Sequence, residues 1–116
     1  MSTLADRIAS FAMETNHDFV RMGQIMAAAN MASDADPGLS CMDRTLALLG
    51  MMLDRGFQAV DLLREGGSKP WPDQGKMRIL RTIERDWRAS NDEPWIGSKY
   101  WFTLPVALRP TPPPEE

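Results

Sequence analysis

Residues 70–104 constrain the fold more than any other part of this chain, because they place apolar and cationic side chains on opposite sides of one helix. The spacing predicts a helix over 74–89 with Leu80, Ile83 and Trp87 along one side. At about 100° per residue, Arg78, Arg81, Arg85 and Arg88 fall within roughly a quarter-turn of one another on the reverse. One side of such a helix must be buried, and the other belongs in water. Ahead of it, Pro70 and Pro72 bracket Trp71 in an extended lead-in, and Asp73 is placed to cap the first turn. After it the chain is turn-like to Gly97 and strand-like over 98–104. Tyr100, Trp101 and Phe102 follow one another without alternation, so both faces of that strand are expected to be covered. All four tryptophans lie in this stretch. Trp71, Trp87 and Trp101 are expected in the core, where truncating a buried tryptophan costs about 3 to 5 kcal/mol. Trp95 falls in the turn 92–97, either as a lid over the core edge or as an exposed anchor for a partner.

The first half reads as helix. Ser2 is placed to cap a helix carrying Leu4, Ile8 and Phe11. Thr15 and Asp18 have the form of a capping box, which predicts a second start near Asn16 and an apolar stripe of Phe19, Met22, Ile25, Met26 and Ala29. Residues 3–32 are therefore read as two short helices meeting near Thr15. Gly23 within the stripe costs about 1 kcal/mol relative to alanine unless a neighbouring helix packs close there. Pro37-Gly38 breaks the chain. Ser40 and Asp43 then open a helix buried along Met42, Thr45, Leu46, Leu49, Met52 and Leu53, which Arg55-Gly56 ends. Residues 57–62 alternate as a short strand would, although a single helical turn fits nearly as well. Residues 65–68 form a turn. Proline occupies four of the eight positions in 109–116, which predicts an extended, mobile tail after a single domain over 1–108.

Size and charge narrow the function classes. At 116 residues the chain has the size of one domain, and 43% hydrophobic with 25% charged residues is a globular balance. A net charge of -3 argues against general affinity for nucleic acid or an anionic membrane. The charge is uneven, however: residues 1–54 hold three basic and seven acidic side chains, and residues 55–116 hold ten and nine. A local cationic surface is therefore compatible with an acidic chain. Cys41 is the only cysteine, so no internal disulfide forms, and a reducing cytoplasm is expected. No apolar run suits a signal peptide or a membrane span.

Residues fit for catalysis are few. General acid-base or nucleophilic chemistry needs groups that shift each other's pKa, and the chain has one histidine and one cysteine. His17 is read as exposed or capping, and Cys41 as a small half-buried residue. Asp34 and Asp36 have the alternate spacing of a calcium loop without its further oxygen ligands, so no metal is expected. Gly66-Gly67 and Gly75-Lys76 lack the rest of a phosphate loop, so no nucleotide cofactor is expected either. Nine methionines, among them Met22, Met26, Met51 and Met52, suit an adaptable helix interface.

The pattern Asp61-Leu62, Gly66-Gly67, Pro70-Trp71-Pro72, Arg81-Thr82-Ile83, Trp87, Pro94, Ile96-Gly97 and Trp101-Phe102 resembles a group of small bacterial proteins of unknown activity. In these, Gly-Asp-Leu and Gly-Phe-x-Pro-Trp segments precede an Arg-Ile-x-x-x-Trp helix and a closing Trp-Phe strand. The resemblance covers residues 57–104 and departs at Ala59-Val60-Asp61, where the glycine is absent. It implies a compact unit of helix and strand.

The expected fold is α+β, mainly α, with three or four helices and two short strands over 57–62 and 98–104, which a winged-helix-like arrangement would assemble. The expected function is a non-enzymatic protein-binding module of immunity, antitoxin or inhibitor type, using Trp95, Arg78, Arg81, Arg85 and Arg88. The alternative is a DNA-binding regulator that presents helix 74–89 to phosphates. Homo-oligomerisation is left open by the sequence.

Overall fold

The computed structural model describes residues 2–90 and 96–111. Expectations for Trp95, the rest of 91–95 and the end of the tail lie outside the described residues.

Local side-chain chemistry decides where each helix starts and stops. The first helix, α1 (Leu4–Glu14), is capped by Thr3 rather than Ser2. Thr3 Oγ1 accepts from the Asp6 N–H at 3.1 Å, and Asp6 Oδ2 accepts from the Thr3 N–H at 3.0 Å, a reciprocal pair that satisfies two otherwise unpaired donors. Thr15 was expected to start the second helix; it ends the first. Its hydroxyl donates to the Ala12 carbonyl at 2.6 Å, which turns the buried side chain back toward α1.

The chain instead forms a two-residue strand, β1 (Val20–Arg21), and α2 (Met22–Met31) starts directly after it. The Arg21 N–H donates to Gln24 Oε1 at 2.7 Å, and Gln24 Nε2 reaches back to the Glu14 carboxylate at 3.0 Å. Within α2, another backbone segment passes close to Gly23, since a Cβ there would lie 3.1 Å from the Gly97 carbonyl oxygen. The small residue is thus explained by packing, against the segment around Gly97.

Ser40 caps α3 (Cys41–Asp54) by accepting from the Asp43 N–H at 3.1 Å. Gly56 lets the chain turn out of α3 at φ 99°, where a side chain would also collide with Leu108. A hairpin of β2 (Gln58–Leu62) and β3 (Ser68–Pro70) follows, then α4 (Lys76–Ser90) and β4 (Trp101–Thr103). The four strands form one antiparallel sheet in the order β1-β4-β2-β3.

Val20, Phe102 and Ala59 stand side by side across three strands, and all are fully buried beneath the helices. The next row, Arg21, Trp101, Val60 and Pro70, faces the other way. There Val60 is buried, Trp101 is only half-buried, and Arg21 and Pro70 are exposed. The expectation that both faces of the last strand are covered therefore holds for Phe102 and Thr103 and fails in part for Trp101.

The protein is α+β and mainly α, built among the described residues on α1 to α4, and the two expected strands are β2 and β4, hydrogen-bonded to each other. β1 and β3 were not expected, because two or three residues are too few to show a period of two. The hairpin separates α3 from α4, so α4 is not the second helix of a helix-turn-helix, which follows its partner across a short turn. A winged-helix-like arrangement with α4 in that role is not what these elements build.

The core joins Ile8, Ile25, Leu48, Leu49, Met52, Ile79, Ile83 and Trp87 to Phe102. On α4 the buried line is Ile79, Ile83 and Trp87; Leu80, expected in that line, is half-buried beside α3, near Gly50. Of the methionines, Met22 and Met52 fill the core, while Met31 and Met77 are exposed. After a short 3-10 turn (Val106–Leu108), Arg109 Nε donates to the Leu104 carbonyl at 2.9 Å, and Asn16 Nδ2 donates to that of Pro110 at 2.9 Å, so residues 109 and 110 are tied to the domain.

Substitutions on opposite sides of α4 should differ sharply. Ile83→Ala is expected to lower unfolding free energy by about 2 to 5 kcal/mol in a urea titration, and Arg81→Ala to change it by no more than about 0.5 kcal/mol.

Candidate functional site

The side of α4 turned away from the core forms one wall of an open groove of about 900 Å³. Arg78, Arg81, Thr82 and Arg85 line this wall; Asp61, Trp71, Pro72 and Asp73, from the hairpin and the lead-in to α4, complete the lining. Two polar ties set the width of the groove.

The first tie is Gln74. Its side-chain amide accepts from the Ala59 N–H at 3.1 Å and donates to the Ala59 carbonyl at 2.8 Å and that of Trp71 at 3.1 Å. The amide thus completes the backbone pairing of β2 where β3 has ended, and it pins the start of α4 to the sheet.

The second tie runs from Asp61 to α4 through two rings. Trp71 Nε1 donates to Asp61 Oδ1 at 3.1 Å, and the indole meets the Tyr100 ring edge-on at a centroid distance of 5.8 Å. The Tyr100 hydroxyl donates to the Asp86 carboxylate, which Lys99 Nζ also contacts at 3.1 Å. Trp71, expected wholly as core, is half-buried, packing against the core while lining the groove.

This network holds the strongest electrostatic perturbation among the described residues. The Tyr100 hydroxyl, aided by Lys99 and Arg85, holds the Asp86 carboxyl below the usual carboxylate range despite partial burial. Burial pushes the Tyr100 phenol far above its ordinary value, and its bond to Asp86 adds to the rise. The two shifts move the groups away from neutrality in opposite directions, which suits a permanent donor and acceptor. Proton transfer near pH 7 needs the reverse.

Arg85 lies 3.7 Å from Asp86 and Arg88 lies 3.8 Å from Glu84, each with most of its side chain in water. Exposed pairs at such distances add little to stability. Arg78 and Arg81 make no ion pair with any described residue and are exposed. The structure therefore brings together three of the four expected arginines. Arg88 lies a turn beyond Glu84 and does not line the groove, and Trp95 lies outside the described residues.

Asp61, Pro72, Asp73 and Thr82 were missed as lining residues. Asp73 was read only as a cap; α4 starts later, at Lys76, and Asp73 Oδ1 instead accepts from the Gly75 N–H at 2.9 Å in the turn before it. The proximity of Asp61 to α4 depends on the hairpin fold, which leaves no mark in local spacing.

Elsewhere, His17 is exposed and Cys41 is half-buried, with Asn30 Nδ2 at 3.3 Å from its sulfur. Asp34 accepts from the Leu4 backbone N–H across 30 residues and Asp36 from that of Gly38 within its own turn, which employs both in the fold. Among the described residues, no three histidine, cysteine or acidic side chains are grouped to hold a metal ion, and no helix is long and apolar enough to cross a membrane. No family model, curated protein or solved structure matches the chain.

Tyr100→Phe leaves Asp86 without its main donor. The Asp86 pKa should rise toward 3.8, read from its carboxyl carbon by NMR, and unfolding free energy should fall by about 1.5 to 3 kcal/mol. The sign across pH follows from the direction of each shift. Asp86, with its folded pKa depressed, contributes fully above its unfolded value and loses that contribution as pH falls through the folded one. Tyr100, with its folded pKa raised, contributes fully below its unfolded value of about 10 and loses the contribution as pH rises through the folded one. The stability difference between wild type and Tyr100→Phe should therefore stay flat from about pH 5 to 9 and shrink outside that window.

Proposed function

We propose that this chain is a small non-enzymatic protein-binding module, of the immunity, antitoxin or inhibitor kind, that docks a carboxylate-rich surface of another protein in the groove along α4. The observation that carries this reading is the state of Arg78 and Arg81, which share a preformed groove with the Trp71 ring and lack a carboxylate partner among the described residues. Arginine next to tryptophan is the composition of an interface hot spot, and a guanidinium without an internal partner keeps its full pairing capacity for another molecule. The Asp86–Tyr100 pair supports a binding role over catalysis, because its shifts leave neither group able to exchange a proton near neutrality. A reducing cytoplasm suits the free Cys41 thiol.

The DNA-binding alternative draws on the same exposed arginines. Two observations favour protein instead: Asp61 and Asp73 line the groove facing them, and α4 does not follow another helix across a short turn.

A partner purified after capture from the host should bind the wild-type chain and lose about a hundredfold in affinity when Arg81 and Arg85 both become glutamate, with the thermal midpoint unchanged. A chain that captures no protein but binds duplex DNA with a steep dependence on salt would reverse the ranking of the two readings.

A further inference from the structure

We infer that Asp61 and Asp73 select what enters the arginine groove: they admit a protein segment whose carboxylates are accompanied by a cationic or amide donor, and they turn away a continuous polyanion such as nucleic acid. The inference rests on the protein-binding reading and names the chemistry of the segment taken.

Both signs of charge line one open groove without neutralising each other. Arg78, Arg81 and Arg85 lie on the α4 wall, and Asp61 and Asp73 lie on the other side with Trp71 and Pro72. Neither aspartate forms an ion pair with any described residue. Each uses one oxygen internally, Asp61 Oδ1 for the Trp71 indole N–H at 3.1 Å and Asp73 Oδ1 for the Gly75 N–H at 2.9 Å. Those bonds hold the two carboxylates in place and leave the second oxygen of each for an incoming donor. The acidic wall is thus partly ordered before a ligand arrives, which lowers the cost of binding.

A polyphosphate backbone threading the groove would be drawn to three guanidinium groups and repelled by two carboxylates, since its phosphates carry no donor to offer them. Charges separated by less than a Debye length of about 8 to 10 Å are not fully screened, so the repulsion persists in ordinary buffers. A peptide can meet both walls. Residues 78, 81 and 85 are spaced at i, i+3 and i+7 of a helix, and glutamates at the same spacing on a partner helix repeat that rise, with lysine or glutamine on the flank to face Asp61 and Asp73. Charge of the wrong sign placed against a competitor in this way yields specificity more than affinity.

The test compares two fluorescent probes by anisotropy: a short oligothymidylate, and a helical peptide with glutamates at i, i+3 and i+7 flanked by lysines. Wild type should prefer the peptide. In D61N/D73N, each asparagine keeps its Oδ1 acceptor while the charge is removed. Oligothymidylate binding should tighten about tenfold at low salt, peptide binding should weaken, and D61N and D73N alone should each give part of the shift, with thermal midpoints close to wild type. An unchanged ratio of the two affinities in all three variants would overturn the selection by Asp61 and Asp73 while leaving the protein-binding reading in place. Preference of wild type for oligothymidylate would overturn both.

Discussion

One helix with a single side to bury governs this structure. Ile79, Ile83 and Trp87 are all but removed from water, and the geometry of an α-helix then leaves no freedom over where Arg78, Arg81 and Arg85 point. Burial of three large apolar side chains is worth several kcal/mol, far more than any exposed ion pair on the same helix. The cationic wall is therefore held in place by the core beneath it, and its arginines need no internal carboxylates to keep them outward.

A cationic helix face alone is a surface; a groove needs a second wall at a fixed distance. Gln74 and the Asp61-Trp71-Tyr100-Asp86 series supply that distance with hydrogen bonds and ring packing. The first joins β2 to the lead-in of α4, the second links Trp71 through Tyr100 to Asp86 on α4, and in both the groups involved would be costly to leave unpaired. Trp71 has two duties as a result. Its ring packs on Tyr100 and the core edge, and the same residue lines the opening where a ligand would lie. Reading a tryptophan as either core or site is too coarse when its indole N–H is anchored at the surface and its body is half-covered.

The charge arrangement departs from the averages that composition reports. The chain is acidic overall, yet the groove gathers three arginines and two aspartates within a short segment of it. Net charge bears on long-range attraction, while recognition depends on which charges share a concave surface and remain unneutralised there. Asp86 shows the other outcome, a carboxylate engaged by Tyr100 and Lys99 through one oxygen and beside Arg85 through the other.

Much of the helical architecture was legible in the residues. The stripes at helical spacing, the Ser40 cap, the Arg55-Gly56 stop and the opposed sides of α4 all rest on interactions within four residues, and local sequence encodes these directly. Thr15 and Leu80 show the limit of that kind of reading. A threonine hydroxyl serves the end of a helix or the start of the next equally well by spacing, and Leu80 is half-buried only because α3 occupies its side of α4 without covering it completely. What the sequence by itself determined is that one helix is apolar on one side and rich in arginine on the other. Only the tertiary structure decided that Asp61, Trp71 and Asp73 face those arginines, because their proximity comes from a hairpin and two side-chain ties that span 10 to 15 residues and have no periodic signature.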